Sequence, residues 1–350
     1  MSKRISRQMR GFSIEFNCDV LGNPMSPGLY QNVTAESQLK WYLDHGVDVI
    51  QTFCMGLNGY AWYRSKIAPV EPGLNGNFLK DLVRIGHEAG VEVHGYFNPV
   101  GDASYRVKHC YDESSVIDRR RNQPLTTELV DYYCRCIEEA VRETGIDGFL
   151  IDWLDEVEPL WIPAEKQMYE ELTSRKFPEK PIKEASDFPV PWKWFGESKL
   201  PVFMERQEVI RFRRLAIERA WKKFREAAKS VNPNVKIWIN PPFRIWDLDV
   251  FNDNLAVKEA DIILSEGRNL EVALWLRKQV PETPIFVNFG GLRSDGKSKF
   301  PLEDFQKYGF HHYGFARPEI ETGVPSEETL GKIADFDKVF FSAGKKKKWA

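Results

Sequence analysis

Asp152 and Glu266 are the residues of this sequence best placed to do chemistry. Each ends an apolar run, Phe149-Leu150-Ile151 before Asp152 and Ile262-Ile263-Leu264-Ser265 before Glu266. Such runs suit strands buried on both faces of a parallel sheet. In a barrel of parallel strands, a carboxylate at a strand exit points to where the active site is built. Two carboxyl groups on one rim can hydrolyse a glycoside. One attacks or steadies the anomeric carbon, and the other protonates the leaving oxygen. Trp153 adds an aromatic wall on which a sugar ring can stack. Asp155 and Glu156 compete for either role but lie further out, where a lid or helix start is expected. A bland alternative remains for Asp152 itself, as a helix cap or the partner of an arginine.

Other polar residues fall at or near predicted strand ends. Glu15 and Asn17 close the first strand. Tyr60 lies in the long loop after the second. His94, Tyr96 and Asn98 share one face of the third strand by its two-residue period. Asn240 ends the fifth, Arg268 ends the sixth, and Asn288 is in the seventh. Together with Trp153 they are expected to contact a substrate in one pocket. A lone histidine is more often structural, and that reading stays open for His94.

These residues need a frame, and the sequence supplies one. Strand-like stretches recur at 12–17, 47–53, 91–98, 149–151, 235–240, 260–268, 284–289 and 310–316. Helix-like stretches recur between them. Thr34 is a plausible N-cap for a helix that Gly46 stops, and Gly145 stops another that starts at Thr126 or Thr127. The span 202–231 reads as the longest helix, and 327–342 as the closing one. Strand then helix, repeated about eight times, is the pattern of an α/β chain of the (β/α)₈ TIM-barrel type. The expected organisation is a single catalytic barrel over 1–344, then a basic tail over 345–350. The connection after the fourth strand, 156–200, is too long for an ordinary loop and carries Trp161, Trp192 and Trp194. It is read as a lid.

Several function classes lose support. The formal net charge of −2 creates no field that favours nucleic acid or an anionic membrane. No apolar stretch approaches the length of a membrane span. No GxGxxG or GxxxxGK[ST] follows a strand, which removes the fingerprint of the rival nucleotide-binding open sheet. Serine chemistry lacks GxSxG. The six histidines form neither HxH nor HExxH, so no metal or organic cofactor is expected. A site assembled from His94, Asp152 and Glu266 is the metal-dependent alternative, a hydrolase or isomerase on the same fold. A non-catalytic carbohydrate-binding barrel is the third reading. Five cysteines without framework spacing, and an N-terminus without a signal-like apolar segment, lead to the expectation of a reducing, cytoplasmic location. The expected partner is a carbohydrate substrate, and a homo-oligomer is left open.

Three stretches carry a resemblance. They are Gly46-Val47-Asp48-Val49-Ile50-Gln51, then Gly59-Tyr60-Ala61-Trp62-Tyr63 with Lys66, then Ala89 to Phe97. They resemble the N-terminal half of the α-L-fucosidase-like glycoside hydrolases, including the group labelled hypothetical glycosyl hydrolases. Gly145 to Asp152 resembles the fourth-strand motif of that family, whose terminal Asp is the nucleophile. The resemblance covers about Gly46 to Trp153 and continues weakly to Ser265-Glu266-Gly267-Arg268. It implies a retaining glycosidase that cleaves a terminal fucoside-like or galactoside-like sugar, with Asp152 as nucleophile and Glu266 as acid/base. The β-sandwich that follows the barrel in many of these enzymes has no counterpart in this sequence. The resemblance therefore implies closure of the site by the lid or a partner subunit.

Overall fold

The computed structural model describes residues 7–18, 25–74, 76–109, 123–154, 161–182, 202–241, 248–266, 270–290, 301–333 and 335–341. Eight strands form a closed ring in sequence order, every neighbouring pair parallel. They are β1 Arg10–Ile14, β2 Val49–Gln51, β3 Glu92–Phe97, β4 Gly148–Ile151, β5 Lys236–Ile239, β6 Ile262–Ser265, β7 Ile285–Gly290 and β8 His311–Ala316. This is the (β/α)₈ barrel that the strand-helix alternation predicts.

The helices are α1 Ala35–Asp44, α2 Phe78–Glu88, α3 Ala103–His109, α4 Thr127–Thr144, α5 Pro163–Thr173, α6 Arg206–Val231, α7 Leu248–Phe251, α8 Leu255–Glu259, α9 Leu270–Gln279, α10 Leu302–Tyr308 and α11 Glu327–Gly331. Their ends follow local chemistry. The Thr34 hydroxyl accepts from the Ser37 N–H at 3.1 Å, and the Ser37 hydroxyl accepts from the Thr34 N–H in return, which satisfies two donors at the start of α1. The Thr126 hydroxyl accepts from the Leu129 N–H at 3.3 Å to cap α4, and Gly145 ends it at φ 72°, a backbone state that costs glycine little. Among the described residues, no helix is long and apolar enough to cross a membrane.

The elements are mostly shorter than the sequence reading, and two boundaries differ in kind. The first strand pairs over Arg10–Ile14 rather than 12–17, although the Glu15 N–H still reaches the Ala316 carbonyl at 2.8 Å. The closing stretch is not one helix. Asp335 sits at φ 57°, which interrupts it, and a short π-helical turn follows over Asp337–Phe341. Residues 345–350 lie outside the described residues. So do 156–160 and 183–200 of the long insertion. The part of it that is described holds α5, which packs on α6 through Tyr169, Trp161 and Phe212.

Alternate residues of each strand face the barrel axis and meet in layers. Near the N-terminal mouth, Lys236 bonds both carboxyl oxygens of Glu92 at 2.6 and 2.7 Å. Above it His94 accepts at Nδ1 from the Trp238 indole N–H at 2.6 Å, and its Nε2 bonds Glu92 at 3.1 Å. The indole can only donate, so His94 is the neutral Nε2–H tautomer. Burial holds its pKa low, against the pull of Glu92. Trp238 in turn packs on Phe286, ring centroids 4.8 Å apart. Gly148 leaves room for this layer. A Cβ there would come within 2.5 Å of both His94 Nδ1 and the Lys236 carbonyl. Gly148→Ala is therefore expected to destabilise the barrel by about 2–3 kcal/mol. Chemical denaturation should show a lower midpoint with an unchanged slope.

Candidate active site

Glu15, Asp152, Asn240 and Glu266 meet at the C-terminal mouth of the barrel, each just past the last residue of its strand. Asp152 is 5% exposed. Its Oδ2 accepts from the Tyr96 hydroxyl at 2.8 Å, and its Oδ1 from Asn240 Nδ2 at 2.8 Å. The Trp153 backbone N–H is a third donor. Burial pushes the Asp152 carboxyl above its ordinary range, and these three donors pull it back. Trp153 itself is held at φ 60°, a left-handed state that costs a bulky residue about 1 kcal/mol or more. The strain falls on the residue beside the buried carboxylate.

Asn240 joins the two carboxylates. Its Nδ2 also donates to Glu266 Oε2 at 2.7 Å. One nitrogen bonded to both oxygens limits their separation to no more than about 5.5 Å, the two bonds laid end to end. With the two amide N–H bonds diverging by their usual angle, the separation is roughly 5 Å. Asn288 supports the other side, donating to the Glu266 backbone carbonyl at 3.2 Å.

The Tyr96 hydroxyl is oriented by Asn98. Asn98 Nδ2 donates to it at 3.2 Å, and Asn98 Oδ1 is occupied by the Gly101 N–H at 2.9 Å. The asparagine can therefore only donate, so the tyrosine proton points at Asp152. Glu15 comes from β1. Its Oε1 accepts the Asn17 N–H at 2.7 Å, and Asn17 Oδ1 accepts from the Leu57 N–H at 2.9 Å, which ties the β1 and β2 loops together. Glu15, Trp153 and Glu266 keep part of their surface open, while Tyr96, Asn98 and Asn240 are buried.

Of the residues singled out in the sequence, the structure gathers Glu15, Tyr96, Asn98, Asp152, Trp153, Asn240, Glu266 and Asn288 at this mouth. Asn17 and Asn98 spend their side chains on neighbouring loops and on Tyr96. Tyr60 is half-buried in the loop after β2, its backbone bonded to Gly56 and Asn58. His94 is not at the mouth. It shares a strand face with Tyr96 but lies two residues deeper, about 7 Å down the barrel. Both its ring nitrogens are engaged by Trp238 and Glu92, so it cannot join Asp152 and Glu266 around a metal ion. Among the described residues, no group of three or more His, Cys, Asp or Glu could hold one. Arg268, Asp155 and Glu156 lie outside the described residues. Tyr313 was not singled out. It comes from β8, its hydroxyl donates to Gln51 Oε1, and the charges of Glu266, Glu15 and Asp152 all bear on it. The alternation of β8 was the available signal, since it puts Tyr313 on the inward face with His311.

No family model and no curated protein matches this sequence. Solved structures do. The chain is similar to alpha-L-fucosidase isoenzyme 2 from Paenibacillus thiaminolyticus, with a TM-score of 0.59 and 14% identity, over 98% of this chain and 50% of that one. It is also similar to a bacterial fucosidase solved with a monovalent iminocyclitol inhibitor, TM-score 0.49 and 14% identity, covering 93% and 70% of the two chains. A third is an alpha-L-fucosidase from Bacteroides thetaiotaomicron solved as a trapped covalent intermediate, TM-score 0.48 and 14% identity, covering 87% and 59%. The chain spans half the length of the Paenibacillus enzyme. What this chain shares with the Paenibacillus enzyme is the fold.

Proposed function

We propose that this protein is a glycoside hydrolase that removes a terminal fucoside-like or galactoside-like sugar with retention of configuration. Asp152 is the nucleophile and Glu266 the acid/base. The observation that carries the reading is the Asn240 bridge. Carboxyl groups about 5–5.5 Å apart suit a covalent glycosyl intermediate, whereas inversion needs roughly 6.5–9.5 Å to admit a water. The two oxygens joined by one amide nitrogen lie roughly 5 Å apart, which supports the first range. Donors on both Asp152 oxygens favour the ionised form that a nucleophile needs. Glu266, with a more open side chain, can exchange its proton with solvent and with a leaving group. Trp153 supplies the stacking face. Asn288 holds the strand-six exit, and Tyr60, Asn17 and Arg268 stay in the proposed set of substrate contacts. No cofactor enters this chemistry.

The test is a panel of aryl glycosides, with α-L-fucoside and α- and β-galactoside first. Release from one of these supports the reading. A flat panel combined with measurable monosaccharide binding would favour the carbohydrate-binding barrel instead.

Tyr96→Phe probes the nucleophile's environment. The hydroxyl bond lowers the Asp152 pKa, so removing it raises that pKa. The acidic limb of kcat/KM is expected to move to higher pH. The rate at the optimum should fall about tenfold, about 1.4 kcal/mol of lost stabilisation of the charged form. A pH–rate profile of the purified variant checks both.

A further inference from the structure

We propose that Asn98 is a positioning residue of this site, fixed by a loop locked at Asp102 and acting on Asp152 through the Tyr96 hydroxyl. The inference rests on the glycosidase reading and deepens it. Asn98 is fully buried, and its amide is spent within the protein. Its Nδ2 donates to the Tyr96 hydroxyl at 3.2 Å, and that hydroxyl donates to Asp152 Oδ2 at 2.8 Å. Its Oδ1 accepts from the Gly101 N–H at 2.9 Å, which fixes the end of the amide that faces Tyr96. A donor on the tyrosine oxygen does two things. It keeps the one hydroxyl proton from turning toward Asn98. It also polarises the O–H, which strengthens the bond to Asp152. A hydroxyl left to rotate would spend part of its time off the carboxylate.

The amide can do this only if the loop after β3 holds its place. Asp102, in that loop, is fully buried and takes no part in the chemistry proposed above. Its Oδ1 accepts from the Tyr105 N–H at 2.8 Å, and its Oδ2 lies 2.9 Å from the Tyr133 hydroxyl of α4. That hydroxyl is also 3.3 Å from the Asn98 carbonyl oxygen, so its one proton is shared between Asp102 and the Asn98 backbone. Gln123 ties down the stretch between them. Its Nε2 donates to the Pro99 carbonyl and its backbone N–H to the Val100 carbonyl, both at 2.8 Å. Two glycines allow the close packing. A Cβ on Gly59 would fall 1.9 Å from Asp102 Oδ1, and one on Gly101 would fall 2.8 Å from Asn98 Oδ1. Buried polar groups satisfied in this way specify one arrangement of the loop, and that arrangement delivers the Asn98 amide to one point.

The titratable groups that bear on Asp152 are Tyr96 of β3, Glu15 beyond β1 and Tyr313 of β8, and Glu266 reaches it through Asn240. Tyr96 bonds it directly, and that bond pulls the Asp152 carboxyl down against the effect of burial. Weakening the bond therefore moves the Asp152 transition to higher pH.

The test is Asn98→Ala, alone and combined with Tyr96→Phe, with Asn98→Asp beside them. Asn98→Ala should lower kcat about three- to tenfold with KM little changed, and should move the acidic limb of kcat/KM to higher pH. Added to Tyr96→Phe it should cost less than about twofold more, because the hydroxyl through which Asn98 acts is already gone. Asn98→Asp keeps the shape and an acceptor for the Gly101 N–H, but its carboxyl can donate to Tyr96 only while protonated. Its loss should therefore deepen to about tenfold or more as pH rises. Full additivity of the Asn98→Ala and Tyr96→Phe losses overturns the proposal. So does an Asn98→Asp enzyme that matches wild type at every pH, which would leave Asn98 only holding its loop. Carbon-13 titration of the Asp152 carboxyl, assigned against Asp152→Ala, needs no turnover. The transition should lie at higher pH in Asn98→Ala than in wild type, and an unmoved transition overturns the proposal whatever the activity. A moved transition with a flat glycoside panel would sink the glycosidase reading alone.

Discussion

Asp152→Ala is expected to lower kcat on the order of 10⁴-fold, about 5 kcal/mol of barrier, in a protein that still folds. The size follows from its role. Donors aimed from two neighbouring strands hold both of its oxygens. Without it the glycosyl intermediate has nothing to form on, and the oxocarbenium-like transition state loses its counter-charge. Stability should change little. The variant orphans the Tyr96 hydroxyl and the Asn240 amide, which costs about 1–3 kcal/mol, but it also removes a carboxylate whose ionisation burial opposes. Rate and melting temperature should therefore separate, and circular dichroism with steady-state kinetics on one preparation measures both. A folded Asp152→Ala with near-wild-type activity would place the nucleophile elsewhere, and Asp155 is the next residue to replace.

Glu266→Ala should lose on the order of 10²–10⁴-fold on substrates with poor leaving groups and far less on activated aryl glycosides. An acid catalyst matters only where the departing oxygen needs a proton. A dinitrophenyl leaving group needs almost none, so its bond breaks with Glu266 absent. A plot of log kcat against leaving-group pKa should be steeper for the variant than for wild type. Equal losses across all leaving groups would make Glu266 a positioning residue that acts through Asn240. The same substitution removes one of the two acceptors of the Asn240 amide. A modest extra penalty common to every substrate is expected from the loosened bridge.

The barrel was legible because its strands are short, apolar and closed by turns. Phe12, Ile14 and Phe16 alternate with Ser13, Glu15 and Asn17. That alternation correctly puts the aromatics against the helices, where Phe12 stacks near Trp41, and the polar residues inward. The strand limits were less legible, because pairing with β8 rather than alternation sets where β1 begins. The closing helix was misread because nothing in its apolar spacing announces the left-handed backbone at Asp335. Period also fixes a face but not a depth. His94, Tyr96 and Asn98 share one face, yet two residues along the strand separate a packed histidine from the site. Trp238, a partner that only the closed ring brings near, decides the fate of His94. Asn240 was legible as a strand-exit polar group. Its double bond to Asp152 and Glu266 was not, since it depends on the register of three consecutive strands.

The most direct test of the account is the configuration of the first-formed sugar. Hydrolysis of the best aryl glycoside should be followed by proton NMR from the first minutes, before mutarotation mixes the anomers. The first product should have the configuration of the substrate, as two successive displacements at Asp152 require. A first product of inverted configuration would contradict it. Asp152 would then not be a nucleophile, and the roughly 5 Å between the carboxylates would have to open to admit a water.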